Sequence, residues 1–311
     1  MGNAIESSHC IVITGGGGYL GSKLAERLAP LKCSVHLVDV NFNNLSKYLG
    51  ESYDNVFCEI LDLTEKSEVG KFIGLHKPDH IFHFASVIDR SRDFSIFEKL
   101  YRVNVRGTFN LLEALSEVPY LSFNFASTSE VYGDWNGTPF KEDDPLTPMS
   151  PYSLTKLYAE NLIELYSKLN GEKPYNILRI FNFFGIDMPP TTFMGQMIEC
   201  YLGGKGFPMT KGEQARDILK IDDLLDQVLF VVDSGNGSQI LNICSGNSCK
   251  LIDIVKYFKQ TVQSHFEYQT LLAYRDNEVW ETKGDNNKIK LLGYKITNYT
   301  IESLLDGCEK I

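Results

Sequence analysis

From Cys10 to Phe181, short runs of β-branched and aromatic residues alternate with longer stretches of helical period. Cys10 to Thr14 (CIVIT) predicts a buried strand, and Gly21 to Ala29 a helix. Ser34 to Val40, Val56 to Ile60 and His80 to Ala85 predict three further strands. A long helix is expected over Ile96 to Ser116, a strand over Leu121 to Ser127, a helix over Pro151 to Leu169 and a strand over Tyr175 to Phe181. Strands this apolar, separated by helices, imply a parallel sheet covered on both faces. The expected fold class is therefore a doubly wound α/β sheet. After residue 182 the texture changes, with Gly and Pro clustered between Gly185 and Pro190 and between Gly203 and Gly212. Gln239 to Cys244 has the composition of a strand that returns to the sheet. The chain thus divides into residues 1–181, with returning segments near 215–245, and a smaller, interleaved α/β unit over 182–311.

Composition narrows the function. The chain has 311 residues, 43% of them hydrophobic and 23% charged, which is ordinary for a globular protein. A net charge of −10 and no block of like charges argue against nucleic-acid binding. No apolar run approaches the ~20 residues that cross a bilayer, and the polar start, Met1 to Ser8, lacks a signal core. The seven cysteines are spread out with no Cys-x-x-Cys pair, which predicts reduced thiols and a cytoplasmic protein. Asn136-Gly137-Thr138 is then a chance glycosylation match. The six histidines are scattered and none pairs with a Cys at zinc spacing, so no metal site is expected.

The run Gly15-Gly16-Gly17-Gly18-Tyr19-Leu20-Gly21 follows a predicted strand and opens a predicted helix. In that context Gly15, Gly18 and Gly21 let the backbone approach a pyrophosphate, and the helix start offers free N–H groups to it. The expected fold is accordingly a Rossmann sheet whose first unit binds a dinucleotide. Asp39 ends the second strand, where an acid accepts from ribose hydroxyls and repels a 2′-phosphate. No Arg or Lys lies between Asp39 and Asn44, which favours NAD over NADP. Asp62-Leu63 follows the third strand, where the acid can meet the adenine amino group.

Tyr152 and Lys156 stand one helical turn apart, just after a strand ending in Ser127, Thr128 and Ser129. A phenol has an ordinary pKa of about 10, and a nearby ammonium favours the phenolate. Tyr152 is therefore a candidate general acid–base, with a neighbouring hydroxyl to orient a sugar hydroxyl or ketone.

These features fall in an ordered series: TGGGGYLG at 14–21, HFAS at 83–86, NVRGT at 104–108, STSEVYG at 127–133, SPYSLTK at 150–156, RIFNFFG at 179–185 and ARD at 215–217. From about Cys10 to Gly307 the chain resembles the extended short-chain dehydrogenase/reductases that act on nucleotide sugars, the NAD-dependent epimerase/dehydratase family. The resemblance implies catalysis by Thr128, Tyr152 and Lys156, with Lys156 also on the nicotinamide ribose. It implies that Phe84, Ala85 and Ser86 line the cofactor, that Asn104 supports the site, and that Ser86 and Ser129 face the sugar. Asn182 and Arg216 match diphosphate contacts, and Arg275 resembles a second such arginine. Arg216 can equally be engaged in a salt bridge with Asp217 or Glu213. The segment Ile88 to Asp93 is more charged than the family pattern, so Arg90 or Arg92 either reads a substrate anion or faces solvent.

Glu130, two residues past Thr128, occupies a position where dehydratases and decarboxylases of this kind carry Glu. Ser129 replaces the Asp of the common Thr-Asp-Glu dehydratase pattern. The implied reaction is oxidation at C4 of a nucleotide-linked hexose by a retained NAD, followed by epimerisation or 4,6-dehydration, with Glu130 as a second acid–base. A 4-ketoreductase, a glucuronate decarboxylase and a non-catalytic NAD-binding scaffold are the alternatives. The expected partner is a nucleotide-diphosphate sugar. The resemblance also implies a homodimer through Ile96–Ser116 and Pro151–Leu169, where Leu100, Phe109, Leu112, Leu157, Leu162 and Leu165 face core or partner.

Overall fold

The computed structural model describes residues 5–134, 139–235, 237–262, 266–275 and 278–310. The Asn136-Gly137-Thr138 triplet and the first four residues of the polar start lie outside the described residues. The chain forms two compact units. The first comprises residues 1–131, 146–179 and 228–241, and the second 132–145, 180–227 and 242–311. Compared with the sequence-based division at 181/182, residues 132–145 join the second unit and the return to the first is confined to 228–241.

The first unit is built on β1 (Cys10–Thr14), β2 (Ser34–Asp39), β3 (Val56–Ile60), β4 (His80–His83), β5 (Ser122–Thr128) and β6 (Tyr175–Ile180). The strand Gln239–Ile243 completes a seven-stranded sheet in the order Gln239–Ile243, β6, β5, β4, β1, β2, β3. β3, β2, β1, β4 and β5 pair in parallel. The order reverses between β1 and β4, the switch point where a crevice opens beyond the strand ends. The helices are α1 (Tyr19–Leu28), α2 (Leu45–Tyr48), α3 (Lys66–His76), α4 (Phe97–Leu100), α5 (Gly107–Ala114) and α6 (Pro151–Leu169). Every residue of β5 is buried, the polar Ser122, Asn124, Ser127 and Thr128 included. Val69 and Ile73 of α3, Leu111 and Leu112 of α5 and Ala159 and Ile163 of α6 pack on Ile81, Phe123, Phe125 and Ile177 of the sheet.

Three local departures matter for the site. The glycine run is a turn up to Gly18, so α1 begins at Tyr19 and not at Gly21. β4 ends at His83, not Ala85; beyond it Ala85 N bonds the Thr14 side-chain oxygen and no strand carbonyl. The long helix over Ile96–Ser116 is not uniform: Tyr101–Arg106, between α4 and α5, is π-helical and carries Asn104. Such widened turns are frequent at functional sites.

In the second unit the strands Asn182–Phe184, Ala215–Lys220, Ser248–Lys250 and Glu281–Thr282 form one sheet centred on Ala215–Lys220. Its hub is the buried Asp217. That carboxylate accepts from Ser245 N (2.9 Å), Ser245 Oγ (2.6 Å), Gly246 N (2.9 Å) and Gly284 N (3.1 Å). Burial nonetheless pushes its pKa up to about 6.

Candidate active site

The glycine turn is held by close packing. Gly15 has φ +72°, and a Cβ there would stand 2.7 Å from Ala85 N. A Cβ on Gly17 would stand 2.3 Å from the Asn41 carbonyl oxygen. Gly17 N donates to Asp39 Oδ2 (3.0 Å), and Val40 N donates to Asp39 Oδ1 (2.7 Å). The acid at the end of β2 thereby fixes the turn at the end of β1. Gly18 is the N-cap of α1 and brings no side-chain acceptor to the start of that helix. A side-chain-free turn, a helix start with glycine as its N-cap and an acid at the β2 end fit a dinucleotide pyrophosphate and ribose. The Tyr19 side chain itself is buried, edge-on to Tyr48 at 5.2 Å.

The loop after β4 is fastened from below. Thr108 Oγ1 donates to the Asn104 carbonyl (2.6 Å), so it accepts from His83 Nε2 (2.8 Å), leaving Nδ1 to accept from Thr14 Oγ1 (2.7 Å). Burial, with the Lys156 charge nearby, lowers the His83 pKa to about 3, so this imidazole is neutral. Ala85 N donates to Thr14 Oγ1 (3.2 Å). Asn104 Oδ1 accepts from Ser86 Oγ (3.1 Å) and Val87 N (2.8 Å), and its Nδ2 donates to Thr155 Oγ1 on α6 (3.1 Å). The π-helical turn therefore ties Phe84-Ala85-Ser86 to the helix of Tyr152. Asp62 is exposed and accepts from Thr64 N (2.8 Å), while Leu63 is buried beside Gly107.

α6 starts on a reciprocal cap, with Ser150 and Ser153 each bonding the other's backbone N–H at 3.1 Å, and Pro151 in its first turn. This fixes the helix phase, so Tyr152, Lys156 and Glu160 form one buried stripe. Tyr152 lies within reach of the Thr128 hydroxyl, which also accepts from Glu130 N at 3.2 Å. Burial first, then the Glu130 carboxylate, pushes the phenol above its ordinary range, while Arg90 and Thr128 pull it down. The Arg90 guanidinium lies 6.0 Å from the centre of the Tyr152 ring and donates from Nε to Glu130 Oε1 at 2.6 Å. The Lys156 ammonium donates to the Ala126 carbonyl (2.7 Å), and burial lowers its pKa to about 7 against the pull of Glu160. Glu160 in turn bonds the Ser127 hydroxyl and pairs with Arg179 at 2.8 Å.

Thr128, Ser129, Glu130, Tyr152 and Lys156 are thus gathered at the β5 end and the first turns of α6. Arg90, from the segment that stood out for its charge, joins Glu130 and Tyr152 there; Arg92 instead donates to the Met149 carbonyl (2.6 Å). In the second unit Asn182 pairs with Ile218 in the strand that carries Arg216. Arg216 pairs with Glu278 at 2.8 Å. Arg275 is exposed. One grouping was invisible in the sequence: His36 and His76 converge on Glu59.

Sheet order, glycine turn and the Thr–Tyr–Lys arrangement define a nucleotide-dependent oxidoreductase of the short-chain type. Residues 11–244 match the NAD dependent epimerase/dehydratase family, and the chain belongs to that family. It is 28% identical to a dTDP-glucose 4,6-dehydratase of Neisseria gonorrhoeae, over 81% of this chain and 77% of the relative. It is 26% identical to a UDP-glucose 4-epimerase of Bacillus subtilis, covering 83% and 84%. A UDP-N-acetylglucosamine 4-epimerase from Methanobrevibacter ruminantium shares the fold, with a TM-score of 0.87, 21% identity and 98% of each chain covered.

Proposed function

We propose that the chain oxidises C4 of a nucleotide-diphosphate hexose and carries the 4-keto sugar on to 4,6-dehydration, with Glu130 as the second acid–base. The observation that carries this reading is the grouping at Tyr152, a buried phenol beside Thr128 with the Arg90–Glu130 pair closed over its ring. Gly15 to Gly21 and Asp39 would hold NAD, which would supply the hydride acceptor and later the hydride donor. Tyr152 takes the O4 proton while Thr128 orients that hydroxyl. Lys156, steadied on the Ala126 carbonyl, holds the nicotinamide ribose. The C4 ketone acidifies the C5 proton, which Glu130 removes. Ser129 stands in the place of the usual acid, so Glu130 passes that proton to the departing C6 hydroxyl, which leaves as water; hydride would then return to C6 of the 4-keto-5,6-ene, and a proton drawn from solvent by Glu130 would go to C5. Arg90 positions Glu130 for the removal. Asp62 and Leu63 border the adenine, Phe84, Ala85 and Ser86 line the cofactor, and Asn182, Arg216 and Arg275 hold the diphosphate. For Arg216 this means exchanging Glu278 for phosphate.

The test is a screen of UDP-, GDP-, CDP- and dTDP-hexoses with product analysis by NMR. Wild-type protein should give a 4-keto-6-deoxy sugar from one of them. Glu130→Gln should bind NAD and still develop the reduced-nicotinamide absorbance on adding that sugar, without releasing product. A 4-epimer as the wild-type product replaces dehydration by epimerisation. Unchanged turnover in Glu130→Gln removes Glu130 from the mechanism, and no absorbance change across the panel favours a scaffold.

No helix among the described residues is long and apolar enough to cross a membrane. We infer a cytoplasmic homodimer. Leu100 and Leu112 are buried in the core, but Tyr101, Phe109, Tyr158 and Leu165 are exposed on the helices concerned. A sedimentation mass of one chain would refute the dimer.

A further inference from the structure

Three elements of the first unit meet at the edge of its sheet. His36 lies on β2, Glu59 on the edge strand β3 and His76 in the last turn of α3. The register places His36 opposite Phe57 and Val38 opposite Glu59, so His36 and Glu59 share the sheet face. His36 Nδ1 is 2.7 Å from Glu59 Oε1, and His76 Nε2 is 3.2 Å from Glu59 Oε2. The ligand atoms of all three lie within 4.8 Å of one another. The two imidazole rings are 4.2 Å apart, and Phe57 and Phe72 support them at 5.1 and 4.4 Å.

We propose that His36, Glu59 and His76 bind a zinc ion that clips β2, β3 and the end of α3 together. Two imidazole nitrogens and one carboxylate oxygen are a donor set that zinc takes at ~2.0–2.2 Å. Calcium, which takes six or more oxygens, and magnesium, which demands octahedral oxygen, are poorly served by it. His36 has the outer partner expected of a metal-bound imidazole, since its Nε2 lies 3.0 Å from Ser34 Oγ. The histidine side chains are 12% and 16% exposed and Glu59 is 33% exposed, so the rings are fixed while the carboxylate side opens to water for a fourth ligand. The site uses none of the residues assigned to the dehydrogenase chemistry.

The experiment takes the full, untagged chain, strips it with a chelator and titrates it with zinc chloride against a competing indicator dye. One zinc per chain is expected, with the melting temperature rising on addition. His36→Ala and His76→Ala should each weaken binding by about tenfold or more and abolish the thermal shift. X-ray absorption on the wild-type zinc complex, which needs no variant to fold, should show two imidazoles and oxygen. No binding at tens of micromolar zinc, full binding by the His36→Ala/His76→Ala protein, or sulfur donors in the spectrum would each overturn the site and leave a hydrogen-bonded His–Glu–His cluster.

Discussion

The Glu160–Arg179 pair and the Glu130–Arg90 pair join the same two chemical groups in different surroundings. The first is closed at 2.8 Å with side chains only 2% and 3% exposed. The second is closed at 2.6 Å, but Glu130 is 32% and Arg90 45% exposed. Water and salt screen the second pair and leave the first unscreened. Glu160 therefore serves the fold: it anchors β6 through Arg179, bonds Ser127 of β5 and sets the field under Lys156. Glu130 and Arg90 add little to stability, and their charges act instead on Tyr152, in opposite directions. Burial decides whether a pair of this kind secures the scaffold or remains open to chemistry.

The largest effect should come from splitting the buried pair. Arg179→Met leaves Glu160 uncompensated inside the sheet and should destabilise the protein by about 3–5 kcal/mol, measured by urea denaturation at neutral pH. Arg179→Met combined with Glu160→Met removes both charges and should recover most of that loss. If the single variant is as stable as the double, the pair does not secure the fold.

A smaller effect belongs to Lys156, on whose ammonium the Glu160 charge acts. Its pKa is lowered by burial to about 7, whereas the unfolded chain keeps the proton up to about 10. Between those values the unfolded state binds more protons, so stability rises with pH, by at most about 1.4 kcal/mol per unit. The window to measure is about pH 7 to 8.5, below the ordinary titration of thiols that burial raises in the folded chain. Lys156→Met should lack this gain, so wild type and variant should differ in slope. Parallel slopes would mean that Lys156 is solvated like an ordinary lysine.

Much of this arrangement was legible in the sequence. The strands at Cys10–Thr14 and Val56–Ile60 and the helix Pro151–Leu169 fall where the pattern puts them, because a short run rich in β-branched and aromatic residues or a capped amphipathic stretch leaves few alternatives. Thr128, Glu130, Tyr152 and Lys156 come together because a strand end and the helix that begins at Ser150 are local features. What the sequence hid are contacts between distant elements. Arg90 and Glu130 are 40 residues apart, and nothing local says which carboxylate the arginine meets. His36 and His76 reach Glu59 across 23 and 17 residues through sheet register and the end of α3, which no ligand-spacing pattern encodes. The π-helical turn at Asn104 was hidden for another reason: its side chains repeat almost as in an α-helix, and only the hydrogen-bond ladder widens.

The smallest change in stability should accompany Arg90→Met, and it sharpens the comparison most. Losing a half-exposed pair should alter stability by about 1 kcal/mol or less. Arg90 lowers the Tyr152 pKa while Glu130 raises it, so removing the guanidinium leaves the carboxylate unopposed. The phenol then gives up its proton at higher pH, and the acid limb of the activity profile should move upward. Arg90→Lys keeps the charge and should restore most of that shift, even though it loses the Nε donor at 2.6 Å from Glu130. A variant that unfolds early but keeps the wild-type profile would make Arg90 a scaffold residue like Arg179. An unchanged melting temperature with a displaced acid limb, rescued by lysine, would put the exposed pair on the side of chemistry.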